Sequence, residues 1–142
     1  MELRTIDDIQ IGDKSDFTKT ISEADIYLFA GITGDLNPAH VNEEYAKTTF
    51  FKERIAHAQL TVGLLSTVIG MQLPGPGTVI VSQNVRFKAP VYIGDTITAG
   101  IRVIEKDVER NRLTLEGSCN NQKGVLVSHG EFIVSPYVRK KK

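Results

Sequence analysis

The feature that most constrains this chain is an apolar stretch of about sixteen residues, running from about Ala58 to Leu73. Its few polar side chains do not gather on one wide face, which predicts a helix buried on most sides. The stretch is shorter than the ~20 residues that cross a bilayer, so no membrane span is expected. Pro74-Gly75-Pro76-Gly77 ends the helix sharply. Other parts of the chain must therefore wrap around this helix.

Four runs with strand character follow the apolar stretch. Short turn-like breaks between these runs favour antiparallel neighbours. The runs are Thr78 to Phe87, Thr96 to Asp107, Arg112 to Asn121 and Val125 to Ser135.

Two more elements are predicted upstream. Asp16 to Ile21 forms a strand, and Ser22 is a suitable N-cap for a helix that runs to about Thr33, with acidic residues in its first turn. A curved sheet around one central helix is an economical way to bury an apolar helix. The sequence therefore predicts an α+β chain of hot-dog architecture, an antiparallel β-sheet wrapped around a long central α-helix. A single domain is expected over residues 1–142, with its core at about 10–135.

Composition narrows the possible functions. Seventeen basic residues balance seventeen acidic ones, so no overall field favours nucleic acid, and the basic tail Arg139-Lys140-Lys141-Lys142 is interpreted as a solvated end. The single cysteine, Cys119, cannot form an internal disulfide and has no partner at metal-ligand spacing. A packed thiol in a reducing environment is expected, and no apolar signal segment follows the first residues. We therefore predict a cytoplasmic protein that binds neither nucleic acid nor membrane.

The segment Gly31 to His40 is the first candidate site. Glycines and a proline interrupt the predicted helix, and Asp35, Asn37 and His40 lie within six residues. The Asn37-Pro38 step favours a turn, which could bring Asp35 and His40 to the same side. A carboxylate beside an imidazole can move protons near neutral pH. The alternative is an Asx turn with a surface histidine.

A second cluster, Ile55 to Ala58, lies where the buried helix begins. The first N–H groups of a helix have no internal partner and lie at its positive end. The Ala58 N–H could therefore stabilise a carbonyl oxygen that gains negative charge. His57 has a simpler interpretation as a structural hydrogen-bonding group. Ser66, two turns into the helix, could bond back to the Val62 carbonyl.

The segment Gly34-Asp35-Leu36-Asn37-Pro38-Ala39-His40, with Ala46 six residues later, resembles the signature of R-specific enoyl-CoA hydratases of the MaoC-like family. Three further stretches resemble other blocks of that family, so that the resemblance covers about residues 10–135. They are Phe50 with Ile55-Ala56-His57, then Gln72-Leu73-Pro74-Gly75, and then Val85-Arg86-Phe87-Lys88-Ala89-Pro90-Val91 with Gly94-Asp95.

The resemblance implies a reversible syn addition of water to a trans-2-enoyl-CoA such as crotonyl-CoA, giving the R-3-hydroxyacyl-CoA. Asp35 and His40 would form the catalytic pair, and the Ala58 N–H would bind the thioester oxygen. No metal and no cofactor is implied, because the CoA thioester is itself the activated substrate. A homodimer, with CoA near its interface, is also implied. The remaining candidate binding residues are Ser66, Asn37 and His57.

One departure from the family pattern concerns Ala58, where the family usually has Gly. If this residue simply begins the helix, alanine supplies the same N–H, because helical φ suits alanine. Two other functions remain open, a hot-dog acyl-CoA thioesterase and a non-catalytic acyl-thioester binding subunit. A thioesterase needs a base aimed at the thioester carbonyl, and a binding subunit has no need of the Asp35 and His40 pair.

Overall fold

The computed structural model describes residues 2–139, and its main feature is a five-stranded antiparallel sheet with the helix Gln59–Met71 packed on one face. The predicted strands and both predicted helices are present, with boundaries within two residues of those expected. The hot-dog prediction is therefore confirmed. After a 3-10 turn at Ile6–Asp8, the elements are β1 (Lys14–Thr20), α1 (Glu23–Thr33), α2 (Pro38–Val41), α3 (Glu43–Thr48), α4 (Gln59–Met71), β2 (Val79–Phe87), β3 (Thr96–Asp107), β4 (Arg112–Asn120) and β5 (Leu126–Ser135).

The core lies between α4 and the inner faces of the central strands. Alternate residues of β3, β4 and β5 are buried, as expected of a sheet with one solvated face. Gly117 on β4 allows the helix to approach closely, because a Cβ there would lie 3.2 Å from Leu65 Cδ2 of α4. The largest fully buried side chains in this layer include Leu65, Ile101, Leu113, Leu115 and Phe132.

The order of strands in the sheet is β1-β3-β4-β5-β2, and it corrects the expectation that short breaks join neighbouring strands. That expectation was wrong for β2 and β3, because β2 pairs with β5 at the opposite side of the sheet. The connection between them, residues 88–95, is held by other segments: Ala56 N–H donates to Val91 O at 2.7 Å, and Gly94 N–H donates to Ile21 O at 2.8 Å. This crossover brings residues 88–91 beside the start of α4.

Helix α4 also departs from the expected pattern of burial. Gln59, Gly63 and Ser66 are exposed, and they recur at the spacing of one helical face. Polar Thr61 is buried, so the polar positions of the helix do not all share this exposed face. The opposite side of the helix is buried against the sheet through Thr61, Val62, Leu64, Leu65, Val68 and Ile69.

The described residues bear on the predictions of no membrane span and of a packed thiol at Cys119, and on part of the basic tail. No helix within residues 2–139 is long and apolar enough to cross a membrane. Cys119 is buried, its thiol lies 3.5 Å from Thr61 O, and burial raises the pKa of the thiol to about 11. These features fit the predicted packed thiol. Lys140, Lys141 and Lys142 of the basic tail lie outside the described residues.

Candidate active site

The segment that carries the first candidate residues is built from two consecutive helix boundaries. Gly34 ends α1 in the left-handed conformation, with φ of 78°, and its N–H donates to Ala30 O at 2.9 Å. Asn37 then caps α2, where its Oδ1 accepts the Ala39 N–H at 3.1 Å, and Pro38 occupies the first turn. Glycine suits the positive φ of Gly34, because it has no Cβ that would make this conformation strained. The chain therefore reverses between Asp35 and His40.

This reversal brings Asp35 and His40 together. A carboxylate oxygen of Asp35 and one ring nitrogen each of His40 and His57 all lie within 4.8 Å of one another. His40 is only 8% exposed, whereas Asp35 is exposed. An Asx contact is indeed present, because Asp35 Oδ1 accepts the Asn37 N–H at 3.3 Å. The alternative of a surface histidine is excluded by the burial of His40.

The orientation of the His40 ring is fixed by one hydrogen bond. Its Nδ1 lies 2.7 Å from the backbone oxygen of Ile55. A carbonyl can only accept, so Nδ1 carries the proton. In the neutral imidazole, Nε2 is therefore left with a lone pair that can take a proton from water.

His57 contacts both Asp35 and His40. It is 2% exposed, and its Nε2 lies 2.9 Å from the backbone oxygen of Asp35, to which it donates by the same reasoning. Its ring stacks on His40, with centroids 3.9 Å apart, and on Phe29 at 4.6 Å. These contacts agree with the interpretation of His57 as a structural hydrogen-bonding group. One side chain thus holds the backbone of Asp35 and the ring of His40.

A cavity of about 470 Å³ opens beside these three residues. Its walls are mostly apolar and come from the start of α4, from the segment before it and from the crossover after β2. Such a space is of the size that binds small organic ligands. The lining residues are Asp35, His40, Phe51, Ile55, Ala56, His57, Ala58, Gln59, Thr61, Phe87, Lys88, Ala89, Pro90, Val91 and Val127.

Ala58 lies in this wall as the N-cap of α4, with φ of −57° and ψ of −33°. The conformation is ordinary for alanine, so the departure from the family's usual glycine causes no backbone strain. Among residues 2–139, no group accepts a hydrogen bond from the Ala58 N–H. This N–H is therefore available to a ligand oxygen at the positive end of the helix.

Two predicted site residues lie outside the cavity lining. Ser66 is on the exposed face of α4, and Asn37 is occupied as the cap of α2. The resemblance implies that Ser66 and Asn37 help to hold the acyl group or the catalytic pair in place. Asn37 is suited to the second role, because it caps α2 and shapes the turn between Asp35 and His40. Their polar character did not indicate where each side chain points. That direction depends on the phase of α4 for Ser66 and on the capping of α2 for Asn37.

Two further positions near the site are described by the structure. Phe50, which carried part of the family resemblance, is 91% exposed, while its neighbour Phe51 lines the cavity. Arg54, in the segment before α4, binds Glu23 at 2.6 Å and Glu43 at 3.0 Å. Its charge is therefore already paired within the protein.

Several lining residues had no role that the sequence predicted. The crossover residues Ala89 to Val91 belong to a stretch that carried family resemblance, so that resemblance was the available signal. Val127, from the distant strand β5, had no signal, because its approach depends on the pairing of β5 with β2.

Comparison with known proteins places this geometry in a family. A family model described as MaoC like domain matches residues 8–122. The chain belongs to the MaoC-like domain family.

Several relatives of this MaoC-like chain have established names. It is 50% identical to an (R)-specific enoyl-CoA hydratase of Rhodospirillum rubrum, over 93% of this chain and 91% of the relative. It is 43% identical to a 3-hydroxybutyryl-CoA dehydratase of Methylorubrum extorquens, over 94% and 85%. The unliganded R-hydratase PhaJ1 of Pseudomonas aeruginosa superposes with a TM-score of 0.89 at 38% identity, covering 97% of this chain and 92% of that one. The MaoC-like chain thus has the fold of the R-hydratase, and the similarity to these hydro-lyases extends over most of its length.

Proposed function

We propose that this MaoC-like protein is an R-specific hydro-lyase that adds water reversibly to short trans-2-enoyl-CoA thioesters. The observation that carries the proposal is the juxtaposition of the Asp35 carboxylate and the buried His40 ring at the wall of an apolar cavity. His40 is oriented so that its Nε2 lone pair is free of the backbone. An Asp and His pair above an acyl chain can supply and remove protons, which is what hydration of a double bond requires.

The reaction uses the pair in one concerted arrangement. The Asp35 and His40 pair holds a water and takes one of its protons, while the water oxygen forms a bond to the β-carbon. The electrons of the double bond move toward the thioester, and the pair delivers a proton to the α-carbon from the same face. The pair ends in its starting protonation state. Dehydration follows the same steps in reverse.

The negative charge that develops on the thioester oxygen is placed at the start of α4. The Ala58 N–H, which lines the cavity at this helix terminus, donates to that oxygen. Conjugation with the thioester makes the β-carbon electrophilic, so the proposed reaction needs no cofactor and no metal. Lys88, at the cavity wall, is suited to contact the phosphates of CoA.

A homodimer forms part of the proposal. Strand β2 lies at an edge of the sheet, and Val79, Val81 and Phe87 on it are 62%, 50% and 45% exposed. An exposed edge strand with apolar side chains favours pairing with a second copy. Light scattering should give twice the chain mass of 15.7 kDa. Val81→Lys should shift the protein toward monomer, whereas Thr18→Lys on the opposite edge should not, and monomeric wild type would contradict the dimer.

We place the protein in the cytoplasm, which its single, buried and reduced Cys119 supports. Expression with a C-terminal fluorescent tag, followed by fractionation, tests the location, and recovery of the protein in a periplasmic or membrane fraction would contradict it.

The function is tested by the ultraviolet absorbance of crotonyl-CoA, with release of free thiol followed in parallel. Asp35→Asn and His40→Ala should each lower kcat by on the order of a hundredfold or more, because general acid–base groups contribute that much. His129→Ala, on strand β5, serves as a matched histidine control and should retain activity. Near-normal hydration by either variant of the pair would exclude the proposed roles, and thiol release without hydration would indicate a thioesterase.

The stereochemistry has its own test. The product of crotonyl-CoA hydration should be oxidised by an R-specific 3-hydroxyacyl-CoA dehydrogenase and not by an S-specific one. A robust signal from the S-specific coupling enzyme would contradict the R assignment while leaving the hydratase reaction intact.

A further inference from the structure

The two groups proposed to transfer protons are held by residues 54–57, a short irregular segment that precedes α4. The Ile55 carbonyl accepts the His40 Nδ1–H at 2.7 Å, and His57 Nε2 donates to Asp35 O at 2.9 Å. The segment belongs to no helix and to no named strand, and it forms only one isolated bridge at Ile55. The orientation of the pair therefore depends on what holds this segment in place.

The residues just before the segment contribute only local hydrogen bonds. After the end of α3, Thr49 N–H donates to Ala46 O at 3.0 Å, and Lys52 N–H donates to Thr49 O at 3.2 Å. Within residues 2–139, the hydrogen bonds of residues 49–53 all join positions at most three apart in sequence. The first long-range polar contact after α3 is therefore made by the side chain of Arg54.

Arg54 makes this contact with the two helices on either side of the turn that carries the pair. Its Nη2 donates to Glu23 Oε1 at 2.6 Å and its Nη1 to the Tyr27 hydroxyl at 3.0 Å, both on α1. Its Nε donates to Glu43 Oε2 at 3.0 Å, in the first turn of α3. Helix α1 ends before the turn and α3 begins after it. The guanidinium therefore joins the segment before α4 to both sides of the turn.

This contact differs from the other ion pairs of the described residues. The Arg54 side chain is only 12% exposed, whereas the basic side chains of the other pairs are 40–84% exposed. Within residues 2–139, Arg54 is also the only basic residue that pairs with two carboxylates. A guanidinium presents its donors in a fixed planar fork, which an ammonium group cannot reproduce. This geometry fixes the Arg54 side chain and, with it, the adjoining backbone.

We propose that Arg54 is a positioning residue for His40. It holds the Ile55 carbonyl where that oxygen accepts the Nδ1–H, so that Nε2 keeps the lone pair that the reaction uses. The hydrogen bond made by one ring nitrogen sets the protonation of the other. Arg54 is not among the residues that line the cavity, so it acts through Ile55 and not on the substrate. The effect on turnover rests on the proposed hydratase function, whereas the effect on the His40 ring does not.

Steady-state kinetics with crotonyl-CoA, at a temperature well below the unfolding transition of each variant, separates positioning from stability. Arg54→Met keeps a long apolar side chain but removes the fork. We expect kcat to fall about tenfold and KM to stay within about twofold, because displacement of a catalytic group slows turnover while the cavity walls are kept. Arg54→Lys retains the charge and can pair with one carboxylate, so it should recover part of kcat.

Asn111→Ala is the matched control for lost stability. Asn111 Nδ2 donates to Ser135 Oγ at 3.0 Å and to Pro136 O at 2.9 Å. These bonds lie at the start of β4, whereas the cavity residue Val127 lies near its other end. The control variant should therefore have a lower Tm and an unchanged kcat. A loss of kcat in Asn111→Ala equal to that in Arg54→Met would overturn the positioning role.

Nuclear magnetic resonance of the imidazole groups in the ¹⁵N-labelled full chain tests the same role without turnover. The His40 signals, assigned by their absence in His40→Ala, should show a bonded Nδ1–H and an unprotonated Nε2 in wild type and in Asn111→Ala. In Arg54→Met the Nδ1–H resonance should broaden or disappear through exchange with solvent. An unchanged resonance in this variant would overturn the route through Ile55, and an unchanged kcat would overturn the effect on turnover.

The two measurements separate this inference from the proposed function. A wild type that never hydrates crotonyl-CoA would refute the hydratase function. The His40 resonance in Arg54→Met would still decide whether Arg54 orients the ring.

Discussion

The ring of His57 stacks on the ring of His40 with centroids 3.9 Å apart and planes tilted by 33°. The same His57 side chain donates from Nε2 to the backbone oxygen of Asp35 at 2.9 Å. Asp35 and His40 belong to the turn after α1, whereas His57 belongs to the segment before α4. Contact between these segments therefore sets the relative position of the two groups proposed to transfer protons.

Replacement of His57 tests this positioning role. His57→Phe retains a flat ring for stacking but removes the hydrogen bond to Asp35, so kcat should fall by about ten- to a hundredfold, since small displacements of reacting groups have effects of this size. KM should change little, because the cavity walls are kept. Steady-state kinetics with crotonyl-CoA separates the two constants. His57→Gln, which returns an N–H donor, should recover part of kcat, and an unchanged kcat in the phenylalanine variant would refute the role.

A second prediction concerns Arg54, which lies in the segment before α4 and binds side chains of α1 and α3. Its guanidinium binds Glu23 at 2.6 Å, Glu43 at 3.0 Å and the Tyr27 hydroxyl at 3.0 Å, and its side chain is only 12% exposed. Arg54→Met should lower the Tm by a few degrees, because networks of this kind contribute more than isolated surface pairs. Arg102→Met is the matched control. It breaks an exposed pair with Glu116 and should leave the Tm nearly unchanged.

The effect of Arg54 should depend on pH. The hydrogen bond from Arg54 lowers the pKa of Glu23 below its ordinary value of 4.5. A carboxylate with a lowered folded-state pKa stabilises the protein above the unfolded-state pKa, and this contribution is lost as pH falls through the folded-state value. The difference in Tm between wild type and Arg54→Met should therefore be present at pH 7 and shrink below about pH 4.5. A difference that grows in acid would contradict this origin.

Gly117 provides a third prediction, about the packing of α4 on the sheet. A Cβ at this position would lie 2.9 Å from Phe132 Cε2 and 3.1 Å from Ile101 Cδ1. Gly117→Ala should therefore destabilise the protein by about 1–2 kcal/mol through overpacking. At Gly100, on the neighbouring strand, the nearest atom to such a Cβ is Ser118 Oγ at 4.0 Å. Gly100→Ala should be neutral or slightly stabilising in urea unfolding, and equal losses in both variants would contradict the packing argument.

Local patterns predicted the elements of this fold. The signals that begin and end helices and strands, such as the N-cap Ser22 and the glycines and prolines, involve only a few neighbouring residues. The order of strands could not be obtained in the same way. The break between β2 and β3 is short enough for a hairpin, yet its backbone bonds to Ala56 and Ile21, which are distant in sequence. Pairings of this kind depend on the whole structure and leave no local signal.

The same distinction applies to the candidate site, since local patterns predicted some of its residues and not others. Asp35 and His40 were predictable, because the glycine before Asp35 and the Asn-Pro step between the two residues favour a turn. The positions of Ser66 and Phe51 were not, because a change of one residue in phase decides whether a side chain lines the cavity or contacts solvent. For residues on irregular segments and on helix faces, the direction of the side chain is therefore known only from the structure.

The last prediction concerns the N–H group of Ala58 at the start of α4. Ala58→Gly retains the donor and should alter turnover of crotonyl-CoA only modestly. Ala58→Pro removes the donor and should lower kcat by on the order of a hundredfold, the effect of losing one oxyanion donor. The φ of −57° at this position lies within the range that proline adopts, so the backbone can accept the substitution. Circular dichroism and thermal unfolding serve as the folding control. If the proline variant folds and hydrates crotonyl-CoA at the wild-type rate, another group stabilises the thioester oxygen, and the substrate carbonyl does not lie at this helix terminus.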